Sequence, residues 1–529
     1  MKYFICIFFG IASALDEPNV TLADGTKVIG KLTKSVNNVT VWKFLGIPYA
    51  QPPIDQLRFM PPQPLATKKG VIYATEFSPI CQQNINGSYL EKWIIEQQVQ
   101  LRRDACASKR LVSQKIISYW KIFIQCAHPF QISVSEDCLY LNVWVPKKAN
   151  EQSALPVMVW IHGGGFYAGS SRNPVTEGTT LAARENVILV SMNYRLSVFG
   201  FAFAGIPEAP GNMGLLDQLE ALKWVKVNIA SFGGNPEAIT LFGVSAGGAS
   251  VSLHGLSPIS RPFFNRIIAQ SGVASNPWAT RSGESIKRSL LQCATVVNCY
   301  SSGKGAPDFA AIVGCLKTKT SDELLRTFRS LSDEVLLITF VPVVDGHFLP
   351  DKPENMLNSG SLPPLDMLLG TVSNEAGIFL YVYFSEYFKY SHMGTLNISS
   401  EDYKTMVKAS IPPNQRENPL IVKATLFEYD DQADSFLRAS ALANLIGDIH
   451  FDAGAEHTAR RYTSTNVNVY RYVFNYENTE MKLPWMKCPH ASDEPFVFGY
   501  PLLNPKVEKN RIKMSKVMMR FWANFARTG

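Results

Sequence analysis

A short serine motif constrains the fold of this chain more than any other feature. Residues 238–242, Ala-Ile-Thr-Leu-Phe, form an apolar and partly β-branched run that is typical of a buried strand. The pentapeptide Gly-Val-Ser-Ala-Gly follows at residues 243–247, and an Ala/Ser/Val stretch compatible with a helix comes after it. A serine on a sharp, strained strand-to-helix turn needs glycine two positions before and after it, because side chains there would collide. The motif therefore predicts that Ser245 stands above a sheet edge, at the positive N-terminus of a helix.

Short apolar runs and a helical pattern alternate around this motif. Residues 20–49 contain alternating segments with glycine turns, and residues 139–145, 156–161 and 187–193 are strand-like runs of apolar side chains. Residues 212–229 carry leucines on one side of a helical repeat. Buried strands that alternate with helices indicate the α/β class, with a mostly parallel sheet covered on both faces.

Composition and charge narrow the class of protein further. The 529 residues are 46% hydrophobic and 18% charged, which is typical of a globular chain. No internal repeat or low-complexity linker divides them, so we expect one domain over residues 15–529, with residues 281–335 and 380–445 as insertions above the sheet. The net charge of +7 comes from scattered basic residues. This distribution does not favour a nucleic-acid partner.

The first 14 residues have the pattern of a secretory signal peptide. Lys2 supplies a positive start, residues 3–10 are apolar, and Ala-Ser-Ala at residues 12–14 is a small-residue cleavage site. We expect cleavage after Ala14, which places the protein outside the cell or in the secretory lumen. No later run reaches the ~18 uncharged apolar residues of a membrane-spanning helix.

An exported chain passes through a compartment in which asparagines are glycosylated and disulfides form. The Asn-x-Ser/Thr sequons that serve as candidate glycosylation sites are Asn19, Asn38, Asn86 and Asn397. The cysteines that remain after loss of the signal peptide are Cys81, Cys106, Cys126, Cys138, Cys293, Cys299, Cys315 and Cys488. Their spacings match no zinc pattern, so disulfides are the better interpretation, and counting alone leaves the pairing open.

A glycine-rich loop precedes the serine in the chain. His-Gly-Gly-Gly-Phe at residues 162–166 directly follows the strand-like residues 157–161. Glycines allow backbone N–H groups to turn inward and to approach a substrate closely. Together with the amide of Ala246, these groups could bind a developing oxyanion, and one such donor is typically worth ~2.7–4 kcal/mol of activation energy. His162 itself has a structural interpretation, because the loop acts through its backbone.

Several histidines compete for the role of a base that activates Ser245. The chain order serine, acid, histidine favours a histidine near the C-terminus. His490 meets this condition in a loop-like stretch, whereas His254 lies too close to the serine. His450 and His457 share a helical stretch over residues 442–462 and are interpreted as core or surface polar residues. The local pattern alone leaves the choice open.

Two acids compete for the third role. Glu375 follows the apolar residues 367–369 at a strand end, where functional groups of open α/β sheets gather. Asp345 lies between Pro-Val-Val and a glycine, and this pattern is typical of a turn aspartate.

Motifs of one protein family occur along almost the whole mature chain. They are residues 44–50 (Phe-Leu-Gly-Ile-Pro-Tyr-Ala), 136–142 (Glu-Asp-Cys-Leu-Tyr-Leu-Asn), 162–166 (the triple-glycine loop), 193–196 (Asn-Tyr-Arg-Leu), 211–218 (Gly-Asn-Met-Gly-Leu-Leu-Asp-Gln), 232–236 (Phe-Gly-Gly-Asn-Pro), 243–248 (the serine motif) and 270–272 (Gln-Ser-Gly). With these motifs the chain resembles the type-B carboxylesterase/cholinesterase family of the α/β-hydrolase superfamily.

The resemblance implies a fold and a reaction. The fold is an α/β-hydrolase fold, with a large, mostly parallel central sheet flanked by helices and an active site at the bottom of a gorge. Ser245 would be the nucleophile, Glu375 the acid and His490 the base. The oxyanion amides would come from Gly164, Gly165 and Ala246. A small-molecule ester would be hydrolysed through an acyl-enzyme, without a metal or a cofactor.

The same resemblance implies a disulfide pairing. It joins Cys81 to Cys138 and Cys299 to Cys315. The cysteines to which it assigns no partner are Cys106, Cys126, Cys293 and Cys488.

Departures from the cholinesterase pattern bear on the substrate. Val244 precedes the serine where cholinesterases carry glutamate, and Ile378 stands where they carry an aromatic residue. A cationic substrate is best held by aromatic faces. The residues expected to line the substrate pocket are Trp278, Leu336, Ile338, Phe340, Ile378 and Phe379. We therefore expect a general carboxylesterase of apolar esters.

Three other functions remain as alternatives. They are an acetylcholinesterase-like choline-ester hydrolase, a lipid-ester hydrolase acting at an interface, and a non-catalytic adhesion or binding protein on the same fold. The last is disfavoured because all three triad residues are present. No sequence feature specifies the oligomeric state.

Two further features depart from the family. Residues 82–137 form a loop roughly twice as long as is usual there, and far beyond common connection lengths. Within it, residues 111–125 lack clear periodicity, and we interpret them as a translated intron. Family members also continue beyond Gly529, so we expect the chain to be incomplete at its C-terminus.

Overall fold

The computed structural model describes residues 17–65, 70–83, 133–147, 149, 153–303, 305–327, 338–360, 362–388, 396–432, 434–477, 485–504 and 507–529. Several sequence predictions lie outside these residues. They are the signal peptide at residues 1–14, the sequon at Asn86, the pocket residue Leu336, the segment 111–125, and Cys106 and Cys126.

Sixteen strands occur in the described part of the chain. In chain order they are β1 (Asn19–Thr21), β2 (Lys27–Ile29), β3 (Lys31–Lys34), β4 (Thr40–Pro48), β5 (Val71–Tyr73), β6 (Ile80–Cys81), β7 (Val134–Ser135), β8 (Tyr140–Pro146), β9 (Leu155–Ile161), β10 (Ile188–Met192), β11 (Phe203–Ile206), β12 (Ala209–Pro210), β13 (Gly234–Val244), β14 (Arg266–Gln270), β15 (Asp366–Val372) and β16 (Val469–Phe474).

The described residues also contain seventeen α-helices. They are α1 (Thr179–Glu185), α2 (Ser197–Phe201), α3 (Met213–Asn228), α4 (Ala246–Leu256), α5 (Gly283–Val296), α6 (Phe309–Lys317), α7 (Ser321–Arg326), α8 (Pro353–Asn358), α9 (Gly377–Tyr383), α10 (Ser385–Phe388), α11 (Ser400–Ser410), α12 (Pro413–Arg416), α13 (Pro419–Glu428), α14 (Ser435–Gly447), α15 (Ala453–Thr463), α16 (Glu494–Val497) and α17 (Lys509–Thr528). A π-helical turn, Asp448–Asp452, joins α14 directly to α15.

Nine of the strands form one mixed sheet in the order β16-β15-β14-β13-β9-β10-β8-β4-β3. The pairings from β16 to β10 are parallel, and those of β10 with β8, β8 with β4, and β4 with β3 are antiparallel. This arrangement confirms the α/β class that the alternating pattern predicts. The predicted strands at residues 139–145, 156–161 and 187–193 are β8, β9 and β10 within one residue at each end.

The sheet is covered on both faces, as its apolar strands require. Val157, Val159 and Ile161 of β9 pack in one apolar cluster, whereas Met158 and Trp160 pack in the other. Alternate residues of a strand point to opposite faces, so a strand buried on both sides needs an unbroken apolar run. The run at residues 156–161 is apolar for this reason.

Different helices supply the two clusters. Leu222 of α3 and Leu253 of α4 pack on one face, whereas Leu181 of α1 and Trp522 of α17 pack on the other. The helix predicted over residues 212–229 is α3, which the sequence pattern placed within one residue at each end. No helix in the described ranges is long and apolar enough to span a bilayer.

Candidate active site

Ser245 lies on the turn between β13 and α4. Its backbone has φ 58° and ψ −124°, a positive φ that side chains rarely adopt. The Ser245 amide donates to the carbonyl oxygen of Gln270 at 2.8 Å, and the Ser245 carbonyl oxygen accepts from the amide of Ala249 at 2.9 Å. The strained serine is therefore held from the neighbouring strand on one side and from the first turn of α4 on the other.

The glycines on either side of the serine have no room for a side chain. A Cβ on Gly243 would lie 2.6 Å from the carbonyl carbon and oxygen of Gly247. A Cβ on Gly247 would lie 2.0 Å from the carbonyl oxygen of Ile161, at the end of β9. The collision that the pentapeptide predicts across the turn is confirmed, and β9 crowds the turn as well.

The triple-glycine loop leaves β9 and passes beside the serine. A Cβ on Gly163 would lie 3.1 Å from the Ser245 Cβ. Gly164 and Gly165 both have positive φ, at 114° and 60°. Their amides donate to no group in the described part of the chain, so they are available to a bound oxygen. The amide of Ala246 starts α4, where helix N–H groups lack carbonyl partners.

His162, at the start of this loop, is a buried neutral residue. Its ring stacks on Tyr194 with centroids 4.4 Å apart, and the Tyr194 hydroxyl donates to the His162 carbonyl oxygen at 2.9 Å. Burial lowers the pKa of His162 to about 4. The side chain therefore packs beneath the loop and carries no charge at neutral pH.

His490 and Glu375 form a buried hydrogen-bonded pair. His490 Nδ1 donates to Glu375 Oε2 at 2.5 Å, and the other carboxylate oxygen accepts from the amide of Val372 at 2.9 Å. Only 6% of His490 and 1% of Glu375 is exposed. His490 Nε2 has no hydrogen-bond partner among the residues that the structure describes. The pair thus fixes one tautomer of the imidazole and leaves its second nitrogen available.

The competing residues are engaged elsewhere. His254 is hydrogen-bonded at Nδ1 to Ser260 and at Nε2 to Gln218, so both of its nitrogens are used. His457 Nε2 lies 3.4 Å from a carboxylate oxygen of Glu354, a residue of helix α8. Asp345 accepts from two amides of its own turn, as its pattern predicted. None of these contacts includes Ser245.

An aromatic wall lies against His490. The ring of Phe379 is 5.2 Å from that of His490, and the ring of Phe451 is 4.9 Å from it. Trp278 continues the wall at 5.7 Å from Phe451 and donates its Nε1 hydrogen to the carbonyl oxygen of His450. The sequence predicted Phe379 and Trp278 as pocket residues but missed Phe451, which lies in the π-helical turn.

The other predicted pocket residues take different positions. The Ile338 Cδ1 atom would lie 3.5 Å from a Cβ on Gly165, so Ile338 flanks the glycine loop. Phe340 and Ile378 are fully buried and belong to the same apolar cluster as Ile338. Val244 is buried as well, and its Cγ1 would lie 3.2 Å from a Cβ on Gly163.

Both predicted disulfides are present. Cys81 and Cys138 are joined by an S–S bond of 2.03 Å, and Cys299 and Cys315 by one of 2.08 Å. Cys293 and Cys488 are free and buried. The sequon residues in the described part are exposed, and they are Asn19, Asn38 and Asn397. The described side chains include no group of three or more His, Cys, Asp and Glu residues placed to hold a metal ion.

Comparisons with known proteins show the family to which the chain is similar. The sequence model of the Carboxylesterase family matches residues 16–529. An acetylcholinesterase of Electrophorus electricus is 36% identical over 99% of this chain and 82% of its own length. An acetylcholinesterase of Bungarus fasciatus is 37% identical over 92% and 74%, and a cholinesterase of Mus musculus is 37% identical over 99% and 81%. The resemblance inferred from the motifs is confirmed.

Proposed function

Because the chain belongs to the carboxylesterase family, we propose that it is a carboxylic-ester hydrolase that forms an acyl-enzyme on Ser245. The observation that carries the proposal is the 2.5 Å hydrogen bond between His490 and Glu375. This hydrogen bond orients the imidazole and leaves one of its nitrogens available. Membership of the carboxylesterase family supports ester hydrolysis as the reaction. The strained turn at Ser245 supports the assignment of the nucleophile.

Acylation is the first half of the proposed reaction. Ser245 Oγ attacks the carbonyl carbon of the ester while His490 Nε2 takes the hydroxyl proton. The carbonyl electron pair moves onto oxygen, and the resulting oxyanion accepts hydrogen bonds from the amides of Gly164, Gly165 and Ala246. The tetrahedral intermediate then collapses, the imidazolium gives its proton to the alkoxy oxygen, and the alcohol leaves.

Deacylation repeats these steps with water. His490 takes a proton from the water as its oxygen attacks the acyl carbon, and a second oxyanion forms in the same place. Collapse breaks the bond to Ser245 Oγ, which receives the proton, and the carboxylic acid is released. Glu375 stabilises the imidazolium in both halves and stays ionised.

Apolar esters are the proposed substrates. Val244 places a buried aliphatic side chain beside the serine, where a carboxylate would attract a cation. Phe379 and Phe451 are stacked on each other at 5.6 Å and pack on His490. Ile338 adds an aliphatic surface next to the glycine loop. The aliphatic side chains of Val244 and Ile338 favour an uncharged, apolar substrate over a quaternary ammonium group.

A choline ester is the second candidate. The three relatives named above, at 36–37% identity, are two acetylcholinesterases and one cholinesterase. The aromatic wall of Trp278, Phe379 and Phe451 also offers ring surface, which is the kind of group that attracts cations.

Secretion is part of the proposal. The two disulfides are typical of an oxidising compartment. Exposed Asn19, Asn38 and Asn397 would be accessible for glycosylation there. Peptide mapping of protein from a secreting cell, before and after glycosidase treatment, tests both points. A chain that begins at Met1 and carries no glycan would contradict them.

One comparison of substrates tests the proposed function. Hydrolysis of short and medium-chain p-nitrophenyl esters is measured beside that of acetylthiocholine, with Ser245→Ala as the control. We expect higher kcat/KM for the p-nitrophenyl esters and a loss of about a million-fold in kcat for Ser245→Ala. Higher kcat/KM for acetylthiocholine would establish the second candidate. A folded wild-type protein that hydrolyses neither substrate, and that a serine-directed phosphonate does not label, would support the non-catalytic alternative.

A further inference from the structure

Gln270, the last residue of β14, contacts both parts of the candidate site. Its carbonyl oxygen accepts the amide hydrogen of Ser245 at 2.8 Å. Its side-chain Nε2 donates to Asp493 Oδ2 at 2.9 Å. Asp493 follows His490 by three residues, and both Gln270 and Asp493 are completely buried. A single residue therefore links the turn that carries the serine to the loop that carries the histidine.

The loop around His490 is tied to the sheet on both sides of the histidine. Upstream, the Cys488 carbonyl oxygen accepts from the amide of Asn374, which directly precedes Glu375. Downstream, Asp493 Oδ2 accepts from Gln270 and also from the hydroxyl of Tyr472 at 2.7 Å. The upstream hydrogen bond positions the loop relative to Glu375, and the downstream hydrogen bond to Gln270 positions it relative to Ser245.

A third buried group fixes the orientation of the Gln270 amide. Trp522 Nε1, on helix α17, donates to Gln270 Oε1 at 3.0 Å. The amide oxygen thus accepts from the indole while the amide nitrogen donates to the carboxylate, and a flipped amide would break both hydrogen bonds. Buried polar groups that lose such partners are costly, so the network holds one arrangement.

We propose that Gln270 is a positioning residue that sets the distance between Ser245 and His490 through its hydrogen bond to Asp493. This inference rests on the proposed function and deepens it. Gln270 itself touches neither the substrate nor the reacting atoms. Its contribution is geometric, because the alignment of a nucleophile with its base controls the rate of proton transfer.

Asp493 acts as a hydrogen-bond acceptor in this arrangement. Both donors reach Oδ2, and Oδ1 has no partner in the part of the chain that the structure describes. An asparagine can keep its amide oxygen in the position of Oδ2 and can place its amide nitrogen where Oδ1 lies. Asp493→Asn therefore preserves the geometry, whereas Asp493→Ala removes it.

The test compares two glutamines that undergo the same substitution. Gln270→Met keeps the length and burial of the side chain and removes its hydrogen bonds. Gln218→Met makes the same change at a completely buried glutamine that contacts Ser250 and His254 instead. For p-nitrophenyl butyrate we expect Gln270→Met to lower kcat by about 10- to 100-fold, with KM changed by less than about threefold. Gln218→Met should lower thermal stability to a similar degree but leave kcat within about twofold.

Three additional readouts separate positioning from a general loss of structure. Labelling by a serine-directed phosphonate should slow in Gln270→Met in proportion to kcat. Asp493→Ala should reproduce the loss, and Asp493→Asn should restore kcat to within about threefold of wild type. Trp522→Phe, which removes the indole N–H and leaves a smaller aromatic ring in its place, should lower kcat less than Gln270→Met because both hydrogen-bonding atoms of Gln270 remain.

Distinct outcomes overturn the inference and the proposed function. A wild-type protein that hydrolyses the ester, together with an unchanged kcat in Gln270→Met, would overturn the inference alone. An equal loss of kcat in Gln218→Met would do the same, because the effect would then reflect packing in general. A folded wild-type protein without hydrolysis or phosphonate labelling would overturn the proposed function.

Discussion

At the scale of single residues, Ser245 is held in a conformation that few side chains tolerate. A non-glycine residue in a sparsely populated backbone region costs about 1–3 kcal/mol and persists only where its surroundings fix it. Here the fixing groups are the Gln270 carbonyl oxygen and the amide of Ala249. The pentapeptide predicted this strain, because a serine on so sharp a turn requires glycine two positions before it and two positions after it. Nothing in the sequence pointed to Gln270 as the residue that holds the turn.

Glu375 should be essential in its ionised form. In Glu375→Gln the amide can present its N–H to His490 Nδ1, which favours the tautomer with the proton on Nε2. That tautomer cannot accept the serine proton, and we expect kcat to fall about ten-thousand-fold. The measurement is ester hydrolysis at neutral pH on protein whose folding is verified by circular dichroism.

Asp345→Asn is the matched control for that variant. Asp345 accepts hydrogen bonds from the amides of His347 and Leu349 in its own turn, and an asparagine oxygen can accept the same bonds. We expect unchanged kcat. Loss of activity in the Asp345 variant and none in the Glu375 variant would exchange the roles of the two acids.

Val244 should influence the choice between neutral and cationic substrates. Val244→Glu adds a carboxylate beside the serine, where burial strengthens its attraction for a cationic group. We expect the ratio of kcat/KM for acetylthiocholine to that for p-nitrophenyl acetate to rise about tenfold. Val244→Gln is the neutral control of similar size. An equal rise in both variants would show that size, and not charge, sets the preference.

At the scale of secondary-structure elements, strand β9 packs against the serine turn. This contact leaves no room for a side chain at Gly247. The Cβ of an alanine at position 247 would lie 2.0 Å from the Ile161 carbonyl oxygen. Backbone oxygens of a central strand cannot move aside without disturbing the sheet. The requirement for glycine therefore arises from packing as well as from the turn.

Gly247→Ala should be severely destabilising. We expect it to lower the free energy of unfolding by about 3 kcal/mol or more, because the clash involves backbone on both sides. Gly314→Ala in helix α6 is the matched control, since a Cβ there meets nothing within 4 Å. It should raise stability by about 0.5–1 kcal/mol, because alanine is the better helix former. Urea unfolding of both variants is the measurement, and similar stabilities would contradict the packing argument.

The π-helical turn shows where the sequence pattern stops being informative. Residues 442–462 were predicted as one helical stretch, and the structure has α14, the turn Asp448–Asp452 and α15 in continuous succession. One additional residue in a helical turn shifts the side chains that follow it, and it leaves no mark in the apolar repeat. Phe451 lies in this turn and its ring packs on His490, so the apolar repeat gave no reason to place it in the site.

At the scale of the whole molecule, most of the fold could be predicted and the long-range contacts could not. The apolar runs of β8, β9 and β10 are local features, and each was found within one residue at each end. The pairing of His490 with Glu375 spans 115 positions of sequence, and local pattern alone left the histidine undecided. The resemblance to a family decided the choice of histidine, because a family pattern carries information about distant contacts that a single strand or helix lacks.

Three buried histidines should make the fold sensitive to acid. Burial lowers the pKa of His162 and His450 to about 4 and that of His254 to about 3. In the unfolded chain their pKa is about 6.5, so the unfolded state binds more protons between pH 6.5 and 4. These histidines alone would make the free energy of unfolding fall as the pH drops through this window, by up to about 4 kcal/mol per pH unit.

Asp452 opposes this trend. Burial raises its pKa to about 6, and the negative charges of Glu375 and Asp448 add to the effect while Arg471 reduces it. Burial also raises the pKa of Glu494 to about 8 and that of Asp493 above its ordinary value, so the folded state binds extra protons at all three carboxyl groups in this window. Urea titrations at pH 7, 6 and 5 measure the balance, and Asp452→Asn should steepen the loss of stability. A pH dependence of the free energy of unfolding that is the same in Asp452→Asn as in the wild type would contradict the prediction.

The paired strands β6 and β7 give the chain a place where its length can change during evolution. Cys81 and Cys138 lie with their Cα atoms 5.0 Å apart, so the two ends of the intervening segment are fixed by a covalent bond. Each doubling in the length of a flexible segment with fixed ends costs only about 0.6 kcal/mol. Insertions between residues 83 and 133 can therefore be gained or lost while the sheet and the Ser245 turn keep their free energy.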